Sequence, residues 1–363
     1  MNGKERVMRA LDFKEIDKVP VGGGFVIKSS YLEKISGVKD FWDDPYLTAI
    51  EAYRKLDVDV IMQLILPFSK DQFWYDDWRK IKFNLDNHKN SEEVVDYIDK
   101  MQSKKELNDS FDSGKIYKEY LDNYNYNQAN IGEDILWIPG HVAGICKFEW
   151  YEHFGYENYL MALILYKDKL QNLFEYSGEE GRLINEAIVK AIKENNLPPV
   201  VYLGEDICGN GGPMVSLEFL DEIYFPYLEN SLKPLVDNEI KMIWHSDGKI
   251  TPILERLLKM GVEGFQGFQE ELGVDIKKVL NLRTIKNNKP IIVGSVSTTS
   301  TFPHGSVQDI KNDVKRCVDL MAPGGGFILS PSHSVCPEVP DENITEFFKY
   351  GKEYGYEFLN KRH

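Results

Sequence analysis

The chain of 363 residues is long enough for one large α/β barrel or for two ordinary domains, and its hydrophobic fraction of 42% is ample for a core. Its 58 acidic and 43 basic residues give a formal net charge of −15, which disfavours nucleic acid or an anionic membrane surface as the partner. No signal-peptide pattern and no apolar run of membrane-spanning length is present, so we predict a cytoplasmic protein.

The first third of the chain predicts a helix, two strands and an aromatic loop. Residues 4–11 have the pattern of an amphipathic helix. Residues 17–21 precede three glycines, and we place a first strand there, whose glycine-rich end lets another group approach the backbone closely. Residues 57–64 predict a second strand. The loop that follows either lines a pocket for a flat organic substrate or packs as a lid, because it carries Phe73, Trp74, Tyr75 and Trp78.

The middle of the chain changes character. Residues 84–130 are polar and rich in lysine and glutamate, with sparse apolar anchors, which predicts an excursion of helix and loop outside the main fold and not a separate domain. Residues 136–140 predict a third strand. From 157 to 195 apolar residues recur at helical spacing, which predicts long helices packed outside a sheet.

Strands and helices alternate in the second half without a hairpin signal, and this alternation favours parallel strands with crossover helices. Together with the first half, eight strands are predicted, the number that closes a (β/α)₈ TIM barrel, and we expect residues 1–363 to form a single barrel domain. A doubly wound open sheet is the alternative. The five later strands are predicted around Val200, Ile240, Phe265, Ile291 and Phe327.

Active sites of such barrels lie where the strands end. His245 and Asp247 end the fifth strand, and residues two apart on a strand point the same way. Imidazole nitrogen and carboxylate oxygen both suit Zn²⁺, although His-Ser-Asp-Gly is also a good turn. The other strand-end candidates are Glu205, Asp206, Gln266, Gln269, Glu270, Ser295, Ser332, His333 and Cys336.

Landmarks along the whole chain make it resemble the uroporphyrinogen decarboxylase superfamily, and within it the zinc-dependent, corrinoid-linked methyltransferases. No single landmark is highly specific, but their order and spacing together are. The landmarks are RVMRAL at 6–11 with DKVPV at 17–21, LGED at 203–206, FPY at 225–227, HSDG at 245–248, VGSV at 293–296, ILSPSH at 328–333 and PDEN at 340–343.

The resemblance implies a zinc site, because these methyltransferases bind zinc through a His-x-Cys pair and a distant cysteine near the last strand. Here the pair reads His245-x-Asp247, and Cys336 stands at about the distant position. Carboxylate in place of thiolate makes the zinc a stronger Lewis acid. The implied reaction is demethylation of a methoxylated, best an aromatic, compound: zinc draws charge from the ether oxygen while the reduced cobalt of cobalamin, carried by a separate corrinoid protein, attacks the methyl carbon.

The resemblance also implies roles for individual residues. His245 and Cys336 are expected as zinc ligands, with Asp247 or Glu205 completing or orienting the site. Glu205, Asp206 and His333 are expected to be catalytic, as acid/base or substrate-positioning groups. Further aromatic side chains, Trp137 and Trp150, are consistent with an aromatic methyl ether, although such residues more often belong to the core.

Three alternatives stay open at this stage. One is a methylcobalamin:thiol methyltransferase, and another is a barrel that binds a corrinoid protein without catalysis. The third is a decarboxylase of the uroporphyrinogen type. It fits poorly because residues 22–26 contain no arginine to hold a polyanionic substrate, although His333 falls where the decarboxylases keep a histidine.

Overall fold

The structure, a computed structural model, describes residues 1–67 and 90–361. Parallel ladders join the first three barrel strands to one another and the last five to one another, each in chain order. These strands are β1 (Gly22–Gly23), β2 (Val60–Ile61), β3 (Leu136–Trp137), β4 (Val200–Gly204), β5 (Lys241–His245), β6 (Gly264–Gln266), β7 (Ile291–Val296) and β8 (Phe327–Pro331).

Two single parallel bridges join the two groups of strands into a ring. Gly140 just after β3 pairs with Tyr202 of β4, and Val21 just before β1 pairs with Leu329 of β8. The eight strands therefore follow one another around a closed barrel. The predicted (β/α)₈ fold is confirmed.

Apolar side chains fill the inside of the barrel, and the N-terminal helix covers one end. The amide of Lys4 donates to the carbonyl of Asp134 (2.8 Å), so the helix lies at the end where the strands begin. Val7 and Leu11 of the helix share one buried cluster with the inward-facing strand residues. That leaves the opposite mouth, at the carboxyl ends of the strands, for polar residues. The other buried members of the cluster, which lie in the strands or directly after them, are Val60, Met62, Leu136, Ile138, Val200, Tyr202, Ile243, Ile291, Val293 and Ile328.

Helices surround the barrel, and a second, larger apolar cluster fills the space between them and the strands. Among the described residues, no helix is both long and apolar enough to span a bilayer. The helices are Gly3–Leu11, Ser29–Ser36, Pro45–Lys55, Ser91–Lys100, Lys104–Ser110, Ser113–Ile131, Tyr151–Phe154, Tyr156–Leu165, Lys167–Glu194, Leu217–Phe219, Phe225–Asp237, Leu254–Lys259, Ile276–Asn281, Thr301–His304, Val307–Met321 and Asp341–Asn360.

The structure also bears on the finer predictions. The excursion predicted over 84–130 is helical from residue 91 onward, and its first residues lie outside the described part of the chain, as does the aromatic loop. The prediction that the second half contains no hairpin was wrong, because Cys208–Gly209 pairs antiparallel with Gly212–Pro213. The two residues between these short strands are Asn210 and Gly211, the pair that favours a tight hairpin turn most strongly.

A buried ionic cluster ties the N-terminal helix to the first two strands. The Nε of Arg6 donates to Asp17 (2.6 Å), and another of its nitrogens bonds Asp59. The second oxygen of Asp59 accepts the amide of Val21 (2.8 Å), which precedes β1. The side chains of Arg6 and Asp59 are only 7% and 3% exposed, so their charges need compensation, which each gives the other; Lys18, 3.5 Å from Asp59, is a second cation beside that carboxylate.

We expect Arg6→Leu to lower the free energy of unfolding by about 3 kcal/mol, because it removes the closer cation from the buried carboxylate of Asp59 and leaves only Lys18, 3.5 Å away. Urea denaturation followed by circular dichroism measures the loss. The control is Arg9→Leu on the same helix, whose guanidinium bonds the carbonyl of Glu15 near the surface. A loss no greater for Arg6→Leu than for Arg9→Leu would contradict the prediction.

Candidate functional site

His245, Asp247 and His333 converge at the carboxyl-terminal mouth of the barrel. His245 ends β5, Asp247 follows two residues later, and His333 comes just after β8. The Asp247 carboxylate lies 3.2 Å from Nε2 of His333 and 3.9 Å from Nε2 of His245. Each of the three offers a ligand atom within 4.8 Å of the others, and in the part of the chain that the structure describes, no other group of three such side chains does so.

Gln266 of β6 fixes the orientation of the His245 ring. Its amide nitrogen donates to the carbonyl of Ser332 (3.1 Å), which can only accept, so its oxygen must face the other way. That oxygen accepts the hydroxyl of Tyr202 (2.8 Å) and lies 2.7 Å from Nδ1 of His245. Nδ1 therefore carries the proton, and the lone pair of Nε2 faces Asp247. Gly267 leaves room for the ring, since a Cβ there would stand 2.8 Å from Nδ1.

The backbone after β5 is held by side chains from two neighbouring strand ends. Asp206 accepts the amide of Asp247 (2.7 Å), and Gln269 accepts the amide of Gly248 (2.7 Å). Asp206, expected from the sequence as a catalytic group, thus binds the backbone of one metal-ligating candidate, Asp247. Whether it also acts in catalysis stays a prediction.

Glu205 lies apart from the group of three, in a buried carboxyl pair. One of its oxygens accepts the amides of Phe148 (3.0 Å) and Glu149 (2.8 Å), and the carboxyl of Glu149 accepts the amide of Asp206 (2.5 Å). Burial, and then the charge of Glu149, raises the pKa of Glu205 well above its ordinary value. Burial, and then the carboxylate of Asp206, raises the pKa of Glu149 to about 7. No sequence signal marked Glu149, which lies in an irregular loop.

Cys336 is not brought together with His245 and Asp247. Its sulfur lies 3.8 Å from the carbonyl of Ser334, and it is not a member of the group of three. Burial, and then the charge of Glu338, raises the pKa of the thiol to about 11. Its predicted role as a ligand stays a prediction, whereas His333, expected as a catalytic group, stands among the possible ligands.

His141, which the sequence analysis missed, brings a third imidazole to this mouth. Its ring lies 5.0 Å from that of Tyr202 and 6.2 Å from that of His245, between ring centroids. Nearby protein groups, and then His245, lower the pKa of His141 below its ordinary value although part of the residue is exposed to solvent, so the ring is mainly neutral near pH 7. Its position directly after Gly140 at the end of β3 was a usable signal, because the other candidates were chosen by the same rule.

For Trp137 and Trp150 the sequence leaves a substrate pocket or the core open, and the structure places them in or against the core. Trp137 is only 6% exposed, and Trp150 packs against the same apolar cluster. Neither supports an aromatic pocket. The aromatic side chains of residues 73–78 lie outside the described residues.

The residues present fit a zinc ion. Two ligand atoms about 2.0–2.2 Å from one tetrahedral ion are separated by roughly 3.3–3.6 Å. One oxygen of Asp247 lies 3.2 Å from Nε2 of His333 and its other oxygen lies 3.9 Å from Nε2 of His245, distances on either side of that value. The hydrogen bond from Nδ1 of His245 to Gln266 is the kind of support that metal-ligating histidines have. His245, Asp247 and His333 are therefore the residues that would hold the ion.

Gln266→Leu is expected to weaken zinc binding by about 10–100-fold, because nothing then keeps the proton of His245 on Nδ1. Competition with a chelator of known zinc affinity measures the change. Tyr202→Phe is the matched control, since it removes only one of the two bonds to the Gln266 oxygen and leaves the bond to His245 in place. Equal zinc affinity in Gln266→Leu and the unmodified protein would refute this account of the imidazole.

Comparison with known proteins agrees with this fold. Residues 185–354 match the model of the family described as Uroporphyrinogen decarboxylase (URO-D), a stretch that includes His245, Asp247 and His333. Among solved structures, a methyltransferase from Methanosarcina mazei is similar, with 16% sequence identity, 98% of this chain and 99% of that chain covered, and a TM-score of 0.63. No curated protein matches the sequence. The resemblance to the uroporphyrinogen decarboxylase superfamily is confirmed.

Proposed function

We propose that this protein is a zinc-dependent methyltransferase that moves a methyl group between a small methylated compound and a corrinoid carried by a separate protein. The observation that carries the proposal is the convergence of His245, Asp247 and His333 at the mouth of a (β/α)₈ barrel. The match of residues 185–354 to the URO-D model and the similar fold of a methyltransferase from Methanosarcina mazei support it.

The chemistry of the donors favours a methyl group bound to oxygen. Imidazole and carboxylate form a harder ligand set than one containing thiolates. A zinc ion bound there would supply Lewis acidity, which stabilises the negative charge that develops on a leaving oxygen. A methoxylated compound, best an aromatic one, is therefore the proposed methyl donor, and demethylation is the proposed direction.

The chain's own residues have distinct tasks in this proposal. Gln266 holds the proton of the neutral His245 ring on Nδ1, so that Nε2 has the lone pair, and Asp206 holds the backbone of Asp247. His141 is neutral near pH 7, so its ring N–H can donate a hydrogen bond without giving up a proton. We assign it to the leaving oxygen of the substrate, because it faces His245 at the same mouth.

The metal site is tested first. The purified protein is expected to hold nearly one zinc ion per chain, and His245→Ala is expected to lose it, because the imidazole is a ligand. Elemental analysis measures the zinc content. The control is His304→Ala, which removes an exposed histidine outside the group of possible ligands. Unchanged zinc in His245→Ala would sink the metal site. Cys336→Ser in the same assay decides the thiolate: loss of zinc adds it to the ligands, and unchanged zinc excludes it.

His141→Ala is expected to lower kcat for methyl transfer from a methoxylated aromatic compound roughly 10²-fold, the usual cost of removing one donor to a developing oxyanion. The zinc content should not change, because His141 lies outside the group of possible ligands. The assay follows methylation of a reduced corrinoid by its absorption spectrum. A variant that lost zinc and activity together would instead make His141 a ligand.

The same assays separate the competing functions. Transfer from methylcobalamin to a thiol, with no reaction on ethers, would show that the proposed direction and substrate class are wrong, while the superfamily would stand. Binding of a corrinoid protein with no methyl transfer under reducing conditions would favour a non-catalytic barrel. Decarboxylation of a uroporphyrinogen would place the protein with the decarboxylases.

A further inference from the structure

Four acidic residues are linked by hydrogen bonds from side chain to backbone amide, in a series that begins with Glu205 directly after β4 and ends at the candidate ligand Asp247. Glu205 accepts the amide of Glu149 (2.8 Å), and Glu149 accepts the amide of Asp206 (2.5 Å). Asp206 in turn accepts the amide of Asp247 (2.7 Å), whose carboxylate lies 3.2 Å from His333. Each side chain thus fixes the backbone of the next residue in the series.

The geometry points to a support of Asp247 that is passed from residue to residue along this series. An amide held by a side-chain oxygen fixes the position of its own residue, and here each residue so fixed carries the next acceptor. The tyrosine hydroxyl of Tyr151 reinforces the middle of the series by donating to the carbonyl of Asp206 (3.0 Å). The position of the Asp247 carboxylate therefore depends on Glu149, although Glu149 touches none of the possible ligands.

The acceptors need not be charged for this purpose. Burial raises the pKa of both carboxyls, and the charge of Asp206 adds to the effect at Glu149 and that of Glu149 at Glu205, so the two hold fewer than two negative charges near pH 7. A protonated carboxyl still has an oxygen that accepts an amide. The other titratable groups that act on the pair are Cys146, Lys147, Tyr151, Glu152, Tyr159, Asp206 and Tyr224.

We propose that Glu149 and Glu205 are positioning residues for the metal site: they hold Asp206, and through it Asp247, where the carboxylate can bind the ion together with His245 and His333. The inference rests on the proposed zinc site. In this proposal Glu205 and Asp206, which the sequence suggested for catalysis, support the metal site. Outer groups of this kind typically change metal affinity by about 10–100-fold when they are removed.

The test compares variants that keep or lose the acceptor. Glu149→Ala is expected to weaken zinc binding about 10–100-fold, whereas Glu149→Gln, whose amide oxygen can still accept the amide of Asp206, should stay within about threefold of the unmodified protein. Glu152→Ala is the control for a nearby carboxylate that is not in the series. The measurements are competition with a zinc chelator and the visible absorption of the Co²⁺-substituted protein, which reports ligand geometry.

A second pair of variants tests the order of the series. Asp206→Ala is expected to weaken zinc binding and Asp206→Asn to preserve it, since an asparagine oxygen can still accept the amide of Asp247. Because the two residues act in sequence, the double variant with Glu149→Ala and Asp206→Ala should bind zinc about as weakly as Asp206→Ala alone. If Glu149→Ala does not fold, Glu205→Ala against Glu205→Gln makes the same comparison one step earlier in the series, at the amide of Glu149, and the same loss of zinc affinity in the alanine variant alone is expected.

The outcomes separate the two proposals. Full zinc affinity in both alanine variants, or equal losses in Glu149→Ala and Glu149→Gln, would overturn the positioning role while the zinc site stands. Additive losses in the double variant would overturn the order of the series. Zinc binding that follows the expected pattern, in a protein that transfers no methyl group, would retain the positioning role and reject the proposed reaction. Absence of zinc from the unmodified protein would overturn both.

Discussion

The closure of eight parallel strands into one ring is the constraint on which the rest of this structure depends. Single bridges between Gly140 and Tyr202 and between Val21 and Leu329 join the two ladders. Because all strands of the ring run the same way, every carboxyl end opens at the same mouth, so His245 and His333, 88 positions apart in the numbering, come within reach of one carboxylate. The N-terminal helix covers the other end and keeps the polar residues on one side.

The site is held by two different kinds of support. Gln266 acts on the imidazole directly and determines which of its nitrogens has a lone pair, a requirement for any metal ligand. Asp206 and Gln269 act on the backbone after β5 and determine where the Asp247 carboxylate stands. The first support concerns protonation and the second concerns position. Both supports matter for a ligand set of imidazole and carboxylate. A carboxylate can bind an ion in several ways, so its position has to be fixed.

Much of this arrangement was predictable, and the misses have physical reasons. The alternation of apolar strands and amphipathic helices predicted the barrel, and strand ends predicted His245, Asp247 and His333. The rule was not applied to β3, so His141 was missed. The hairpin was missed although Asn210 and Gly211 signalled it. Glu149 had no signal, since its importance comes from hydrogen bonds to residues distant in the chain.

By itself the sequence determined the elements and their order, because the period of apolar residues is a local property that follows from how helices and strands turn their side chains. It also determined that His245 and Asp247 face the same way, two residues apart on one strand. Only the tertiary structure decided which distant side chains join them. There His333 stands beside Asp247, and the sulfur of Cys336 lies against a backbone carbonyl. Ligand distances depend on the curvature of the barrel and the paths of its loops, which no local pattern encodes.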